Sequence, residues 1–475
     1  MAFRIVATFE IVTPMFLGGA NPDADSDTNS PPITLRPGSI KSELVFWWRA
    51  LNAAQAARSA RRPDDRRWLC VLHETEVDLF GGPGRSADPD RNRSRLAASQ
   101  SAVHLNARWI STHPIWTAGS FLTGTGENRS NAGVSGRIQS IRSGGEPCPE
   151  AVRYLGYGAL EYQAAGTVLL RQAFAPGAKF AVEMLLTGRA AGRSPEVLNA
   201  LKLMGLLGGL GMRKRRGWGS LNLLSLRHGA ATLGRGEDTL EDDWTQPLTK
   251  DEWRERIRDL ISLDPNVNST TLPLTAFARG SEIRIWKEAF SNWIDAMAKL
   301  GHGYQLYRAW GYKGKQDTVH SVGGCEAEQN FPEEKEWFRS GNLRPAARGS
   351  YGVAAEKMPR RANLGLPLPY DSRRGMVVEA GAPFGRRASP LMFHIARIGD
   401  KCLPVATHTN NMFLPDVGGG HHAGVKIKIR NFDGKAFTPE SGIITDYFID
   451  VARKTPNSPY FDGDPAGNIL TTSLR

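Results

Sequence analysis

Two short stretches hold the residue types that could do chemistry. One is "LGGLGMRKRRGWGSL", residues 207–221, in which Arg213, Lys214, Arg215 and Arg216 follow one another among five glycines, with Trp218 close behind. Adjacent cations suit phosphate oxygens, glycines let backbone amides approach a sugar-phosphate chain closely, and an indole between two glycines can stack on an exposed base. The other is "GGGHHAG", residues 418–424, where His421 and His422 adjoin. Metal-free RNA cleavage needs a base for the 2′-hydroxyl and an acid for the leaving oxygen, both held within about 3 Å of their targets. Adjacent histidines in an open loop point in different directions, so this pair reads as solvent-exposed or RNA-contacting. His394 and His104 sit mid-strand among apolar residues and read as structural. No catalytic residue is expected.

Other chemistries find no template. The basic run leaves the C-terminal end of a helix, where the macrodipole is wrong for an anion, so the positive charge must come from side chains. The loop fits neither G-x-x-x-x-G-K nor G-x-G-x-x-G, because position 214 is lysine; this argues against ATP or NAD, and no cofactor is expected. Cys70, Cys148, Cys325 and Cys402 stand far apart without a C-x-x-C pair, which argues against a disulfide framework or a zinc knuckle. The acidic groups Asp242-Asp243 and Glu333-Glu334-Glu336 read as solvated surface, and no metal site is expected.

The elements that position these stretches follow from periodicity. "FRIVATFEIV" (3–12) alternates as a half-buried strand. "RPGSIKSELVFWWRALNAAQAA" places Ile40, Leu44, Trp47 and Leu51 on one helical stripe, with Lys41, Val45, Trp48 and Arg49 on an adjoining flank. Residues 81–147 read as long Gly, Ser and Arg-rich loops around a strand-like "SAVHLNARWIS". Residues 167–188 read as a hairpin around Pro176-Gly177. "SPEVLNALKLMGLLGG" reads as a helix with Pro195 at its first position, followed by the basic loop and the strand "WGSLNLLSL". Strand, helix, strand, strand, helix, strand is a ferredoxin-like unit. Beyond it, helices are expected at about 251–262 and 281–300, and a hairpin at 386–407 turning at Gly399-Asp400.

Composition bounds the partner. With 475 residues the chain suits two domains, and 40% apolar content is enough for real cores. A net charge of +12 and a pI near 9.6 favour a polyanion, and twelve tryptophans favour nucleic acid over a plain anionic surface. "MAFRIVATFEIV" has no secretory leader pattern and no apolar run approaches membrane-spanning length, so a cytoplasmic protein without a membrane partner is expected.

The loop "GGLGMRKRRGWGSL" resembles the glycine-rich loop of the RAMP superfamily, the ferredoxin-like RNA-binding proteins of CRISPR systems. "IVTPMFLGGANPD" followed by "LRPGSIKSELVFWWRAL", with "NLGLPLP" (363–369) and "RRASPLMFHIA" (386–396), resembles one subfamily, the RAMP subunit usually numbered first in the type III-B, or Cmr, effector complex. The resemblance implies an α+β chain of two ferredoxin-like (βαββαβ, RRM-like) domains with long loop insertions. These would be 1–230, ending in the glycine-rich loop, and a degenerate 271–475 with helical insertions, joined by a linker at 231–270. It also implies a non-catalytic subunit that holds the 3′ end of a guide RNA and a target RNA beside other Cmr subunits in antiviral defence. The alternative is a metal-independent RAMP endoribonuclease that processes CRISPR precursor RNA. Carried over by residue, RNA contact falls on Arg213, Lys214, Arg215, Arg216 and Trp218, on Lys41, Trp48 and Arg49 of the first helix, and on Arg386, Arg387 and Ser389.

Overall fold

The computed structural model describes residues 2–18, 33–58, 67–83, 98–124, 149–163, 166–231, 240–263, 276–308, 330–331, 360–366, 376–380, 386–411, 425–429 and 432–437, together with short strands at 312–313, 318–319, 321–322, 325–326, 345–346, 350–351 and 368–371. The first half is built on strands β1 (Ala2–Ile11), β2 (Val103–Trp109), β3 (Lys179–Leu186) and β4 (Leu221–Ala231), all antiparallel in the order β4-β1-β3-β2. Alternation along β1 buries Ile5, Ala7, Phe9 and Ile11 under helices α1 (Pro37–Arg58) and α4 (Ser194–Leu207). Pro37 and Pro195, each in a first turn, start these helices where a missing N–H costs nothing. This half therefore has the strand–helix–strand–strand–helix–strand order of a ferredoxin-like unit. Helix α2 (Arg67–Phe80), which the sequence reading passes over, lies against α1, and the short α3 (Pro149–Leu155) follows.

Two expected elements are placed differently. Residues 167–188 do not form a hairpin. Both edges of β3 are taken by β1 and β2, so Gly166–Leu169 pairs instead with Leu160–Gln163 and Phe121–Gly124. The turn at Pro176-Gly177 serves to hand the chain into β3, with the Gly177 amide donating to Ile11 O at 2.7 Å. Nor does 281–300 run as one helix: the β-branched "EIRI" forms strand β5 (Glu282–Ile285), and helix α6 begins only at Trp293 and runs to Arg308.

Within the span expected as linker, residues 240–263 are built onto the first core. Glu241–Asp242 extend the sheet beside β4, and Trp244 Nε1 donates to Leu223 O at 2.7 Å. Helix α5 (Lys250–Leu260), capped by the Thr249 hydroxyl, buries Trp253 and Ile257. Asp243, read as solvated, pairs with Lys202 at 2.8 Å.

In the second half, β6 (Leu391–Ile398) and β7 (Lys401–His408) form the expected hairpin, and β5 joins it in the order β5-β7-β6. Both faces of this sheet are covered. Met392, Ala396, Ile398, Leu403 and Val405 enter the first core, whereas Leu391, Phe393, Ile395, Cys402 and Ala406 enter a second core with α6. Near-continuous burial along β6 is the mark of a strand packed on two sides. Among the described residues this β-α-β-β segment is not completed to a second βαββαβ unit. The architecture is mixed α and β, and the two halves share a core across β6 and β7.

No helix among the described residues is long and apolar enough to cross a membrane, and none of their His, Cys, Asp and Glu side chains gather in a group of three able to hold a metal. His394 is buried between the halves, where desolvation pushes its pKa down to about 3 against a backbone hydrogen bond at Gly208; burial likewise lowers His408 to about 4. His104 lies exposed on β2, an edge strand, and is not among apolar residues as expected. Since both buried rings have folded pKa values below the ordinary 6.5, the unfolded chain binds more protons between about pH 4 and 6.5. Stability present above that window should therefore drain as the pH falls through it. Melting temperatures recorded from pH 7.5 to 4.5 should decline, and the decline should be shallower in His394→Asn.

Candidate nucleic-acid interface

The basic loop is a tight structure, and its glycines serve the fold first. Gly211 (φ +88°) packs where a Cβ would stand 2.4 Å from Phe16 O, and Gly219 (φ +63°) where one would stand 2.0 Å from Leu210 O. The loop is thereby laid along residues 14–17: Met212 N donates to Phe16 O at 2.8 Å and Gly219 N to Pro14 O at 3.0 Å. Trp218, expected to stack on a base, is fully buried at 0% exposure, between Phe16 (ring centroids 5.3 Å apart) and Trp293 of α6 (6.1 Å). No base can reach it. The physical reason lies some 75 residues downstream, in the helix that covers it.

The four cations are not equivalent. Arg213 alone is exposed. The Lys214 ammonium pairs with Glu43, a carboxylate buried in α1 that also accepts from Trp47 Nε1 at 3.0 Å and from the Gly209 amide at 3.3 Å. The Arg215 guanidinium lies 5.0 Å from the Phe46 ring centroid and donates to Ser389 O at 3.0 Å; burial pushes its pKa down, Glu43 raises it and Arg216 lowers it further. Arg216 sits 4.6 Å from the Tyr304 ring and 5.8 Å from that of Phe393, and donates to Leu364 O at 3.3 Å. The main chain joins in, Phe393 N donating to Arg215 O at 3.0 Å. Arg215 and Arg216 therefore fasten the loop to the second half.

The remaining expected contacts divide in the same way. Trp48 is fully buried; its indole donates to Glu196 Oε2 at 2.8 Å and its ring meets Phe80 of α2 edge-on. The flank that looked open is thus closed by α2 and the start of α4. Arg49 forms a bidentate ion pair with Glu76 of α2. Lys41 is half-buried, and its desolvation lowers its pKa. Arg386 is exposed, but Arg387 and Ser389 are buried. Burial and the nearby Arg215 push Arg387 down to about 9, which leaves it a cation at neutral pH, donating to Ala388 O at 2.7 Å. The Ser389 hydroxyl accepts from Leu391 N at 3.2 Å. His421 and His422 lie outside the described residues.

What the loop does build is a cleft of about 460 Å³ against the beginning of α1. Arg36, Gly38, Ser39 and Ser42 line one wall, and Gly211 and Lys214 the other. Among the described residues none that lines the cleft is acidic, and the first turn of α1 carries no acid either. Its positive dipole end, worth about half an elementary charge, therefore opens into the cleft. Lys214 keeps about a third of its side chain exposed, and Glu43 takes one of three ammonium donors. The helix whose dipole serves the loop is thus not the one that precedes it. Arg36, Gly38 and Ser39 escaped the sequence reading, although Pro37 at a helix start with no acid behind it was the available signal.

The quoted motifs also meet in space. "NLGLPLP" and "RRASPLMFHIA" are joined by paired backbone bonds between Leu366 and Arg387, 2.7 and 3.1 Å long, and both touch the basic loop through Arg215 and Arg216.

An antiparallel βαββαβ sheet whose second helix runs into a glycine-rich basic loop characterises the first half of the chain, and residues 8–222 match the RAMP superfamily. In fold it is similar to Cmr1 from Pyrococcus furiosus in its apo form (16% identity, 88% of this chain and 91% of that one, TM-score 0.41). It is also similar to a chain of the type III-B Cmr-beta structure bound to cognate target RNA (11%, 86% and 94%, TM-score 0.39), and to a chain of a type IV-B CRISPR complex (13%, 49% and 93%, TM-score 0.24). No curated protein matches it in sequence.

Removing either anchor of the loop should cost stability. Trp218→Ala should lower it by about 3–5 kcal/mol, as expected for emptying a buried indole site. Glu43→Ala should cost about 2–3 kcal/mol, because two buried donors lose a charged acceptor. Chemical denaturation of both variants checks this; a Trp218→Ala protein as stable as the parent would put the indole back at the surface.

Proposed function

We propose that this chain is a non-catalytic, RNA-binding subunit of a type III-B CRISPR effector ribonucleoprotein, holding guide and target RNA beside other Cmr subunits. The observation that carries the reading is the cleft between the basic loop and the start of α1, where Lys214, Arg36 (which also donates to Gly18 O at 3.0 Å), two serine hydroxyls and a helix N-terminus meet with no acid among the described lining residues. Such a set suits backbone phosphates, whose contacts position a strand without reading its sequence. The match of residues 8–222 to the RAMP superfamily supports RNA as the polyanion, and the subfamily-like motifs that converge around the loop support the type III-B assignment.

The non-catalytic reading is supported by the described histidines, none of which lines the cleft. A general base must be near its pKa at working pH and near its target. The buried His394 and His408 are held neutral with depressed pKa values, and neither lines the cleft.

The full chain should bind single-stranded RNA with little sequence preference and strong salt dependence. Replacing Arg36 and Lys214 together (Arg36→Ala, Lys214→Met) should weaken binding across sequences, and each lost phosphate contact should reduce the log–log salt slope by about 0.7. Incubation with repeat RNA in EDTA should leave the RNA intact. Discrete cleavage would favour the endoribonuclease reading, and an unchanged slope would remove the cleft from the interface.

A further inference from the structure

Trp218 leaves the nucleic-acid surface without its expected aromatic, yet an aromatic stands beside the same loop. Tyr157 is the most exposed large hydrophobic side chain among the described residues, at 73%. It sits in "LGYGAL" between two glycines with different duties. Gly158 (φ +83°) closes the turn, and Ala159 N and Leu160 N both donate to Gly156 O, at 2.8 and 3.0 Å. A Cβ on Gly156 would stand 3.1 Å from the Trp218 ring, so the buried indole is the floor on which this turn rests. The turn also touches the loop directly. A Cβ on Gly158 would lie 3.4 Å from Met212 Cε and 3.6 Å from Arg213 Nη2.

Arg213 supplies the second observation. It is the described non-glycine residue with a positive φ (61°), a conformation that costs an L-residue and persists where surroundings impose it, typically at ligand clamps. That backbone sends the guanidinium over the Tyr157 ring, 5.9 Å from its centroid. A phenol with a guanidinium on one side and solvent around the rest is the arrangement that stacks an unpaired base, with the cation adding attraction to the ring and to phosphate. Met212, the neighbour of Arg213, lines the cleft, so the platform lies next along the same surface.

We infer that Tyr157 and Arg213 form a base-stacking platform for single-stranded RNA, taking the base of a nucleotide adjacent to the one whose phosphate enters the cleft. The assignment rests on the RNA-binding reading above and adds a stacked base to it. Stacking of this kind tolerates any base, because every base has a π-face.

The probe is a short single-stranded RNA carrying one 2-aminopurine, titrated against the full chain. Binding should quench its fluorescence at one position of the label. Tyr157→Ala should abolish that quench, weaken affinity roughly tenfold and leave the salt slope unchanged, whereas Tyr157→Phe should keep both quench and affinity. Arg213→Ala should lower the slope by about 0.7. Because Tyr157 is exposed, its alanine variant should melt with the parent. RNA bound equally well by parent and Tyr157→Ala, with the quench intact, would overturn the platform alone. A parent that binds no RNA would sink the platform and the RNA-binding reading together. Unchanged RNA binding with lost association of co-purifying proteins would assign Tyr157 to a protein contact and overturn the platform.

Discussion

The buried carboxylate of Glu43 is the constraint around which the interface is arranged. A charge in a protein interior must be paired and hydrogen-bonded or it destabilises the fold. Glu43 meets that demand with three partners, two of them belonging to the basic loop: the Gly209 amide, the Lys214 ammonium and the Trp47 indole. One carboxylate on α1 thus sets where the loop begins and how far Lys214 reaches toward the cleft. It also explains why a run of four cations can be half internal. Lys214 takes the carboxylate, while Arg215 and Arg216 face aromatic rings and carbonyls (Phe46, Tyr304, Phe393, Ser389 O and Leu364 O).

A second, uncharged stitch holds the far end of the loop. The Thr13 hydroxyl donates to Gly217 O at 2.7 Å and accepts from Ser220 N at 2.9 Å; the Ser220 hydroxyl donates to the same carbonyl at 2.9 Å and accepts from Ile395 N at 3.0 Å. Three segments about 200 residues apart in sequence share four hydrogen bonds in a dry interior. A fully satisfied buried network of this kind specifies one arrangement, because losing any member strands the others. The loop is clamped at Gly209 and Lys214 by α1, and at Gly217 and Ser220 by Thr13, just after β1, and by β6. Only the stretch around Arg213, between the clamps, is presented outward.

Much of the first half could be read from periodicity. β1, α1, α4 and β4 each show their face over many residues, and the turn at Gly399-Asp400 announces its hairpin. The errors have one cause. Trp48 and Trp218 look like surface aromatics in their own segments, and they are buried by α2 and α6, which approach from elsewhere in the chain. A cation run reads alike whether water or aromatic rings surround it, and the rings that hold Arg216 come from residues 304 and 393. The misplaced hairpin is the same lesson for a strand, since β3 pairs with β1 and β2 and not with its sequence neighbour. The cleft was hidden for a related reason. The basic loop follows the wrong end of α4 for an anion, and the helix end that suits one belongs to α1.

Because the cleft is made by joining the start of α1 to a loop that also binds β6, filling it and packing the two halves are thermodynamically linked. A ligand that binds only the joined state stabilises that state in proportion to its saturation. By the same linkage, anything that loosens the join weakens binding by the fraction of molecules no longer competent. Arg215, Arg216 and Ser389 then govern the shape of the cleft without lining it themselves. Their interactions with Phe46, Tyr304, Phe393 and Leu364 keep Lys214 and Gly211 opposite Arg36 and Gly38. The density of charge and glycine in this loop therefore answers two needs at once. The glycines and two of the arginines fold the loop between the halves, and that folding is what leaves Arg213 and Lys214 toward the surface beside a helix end.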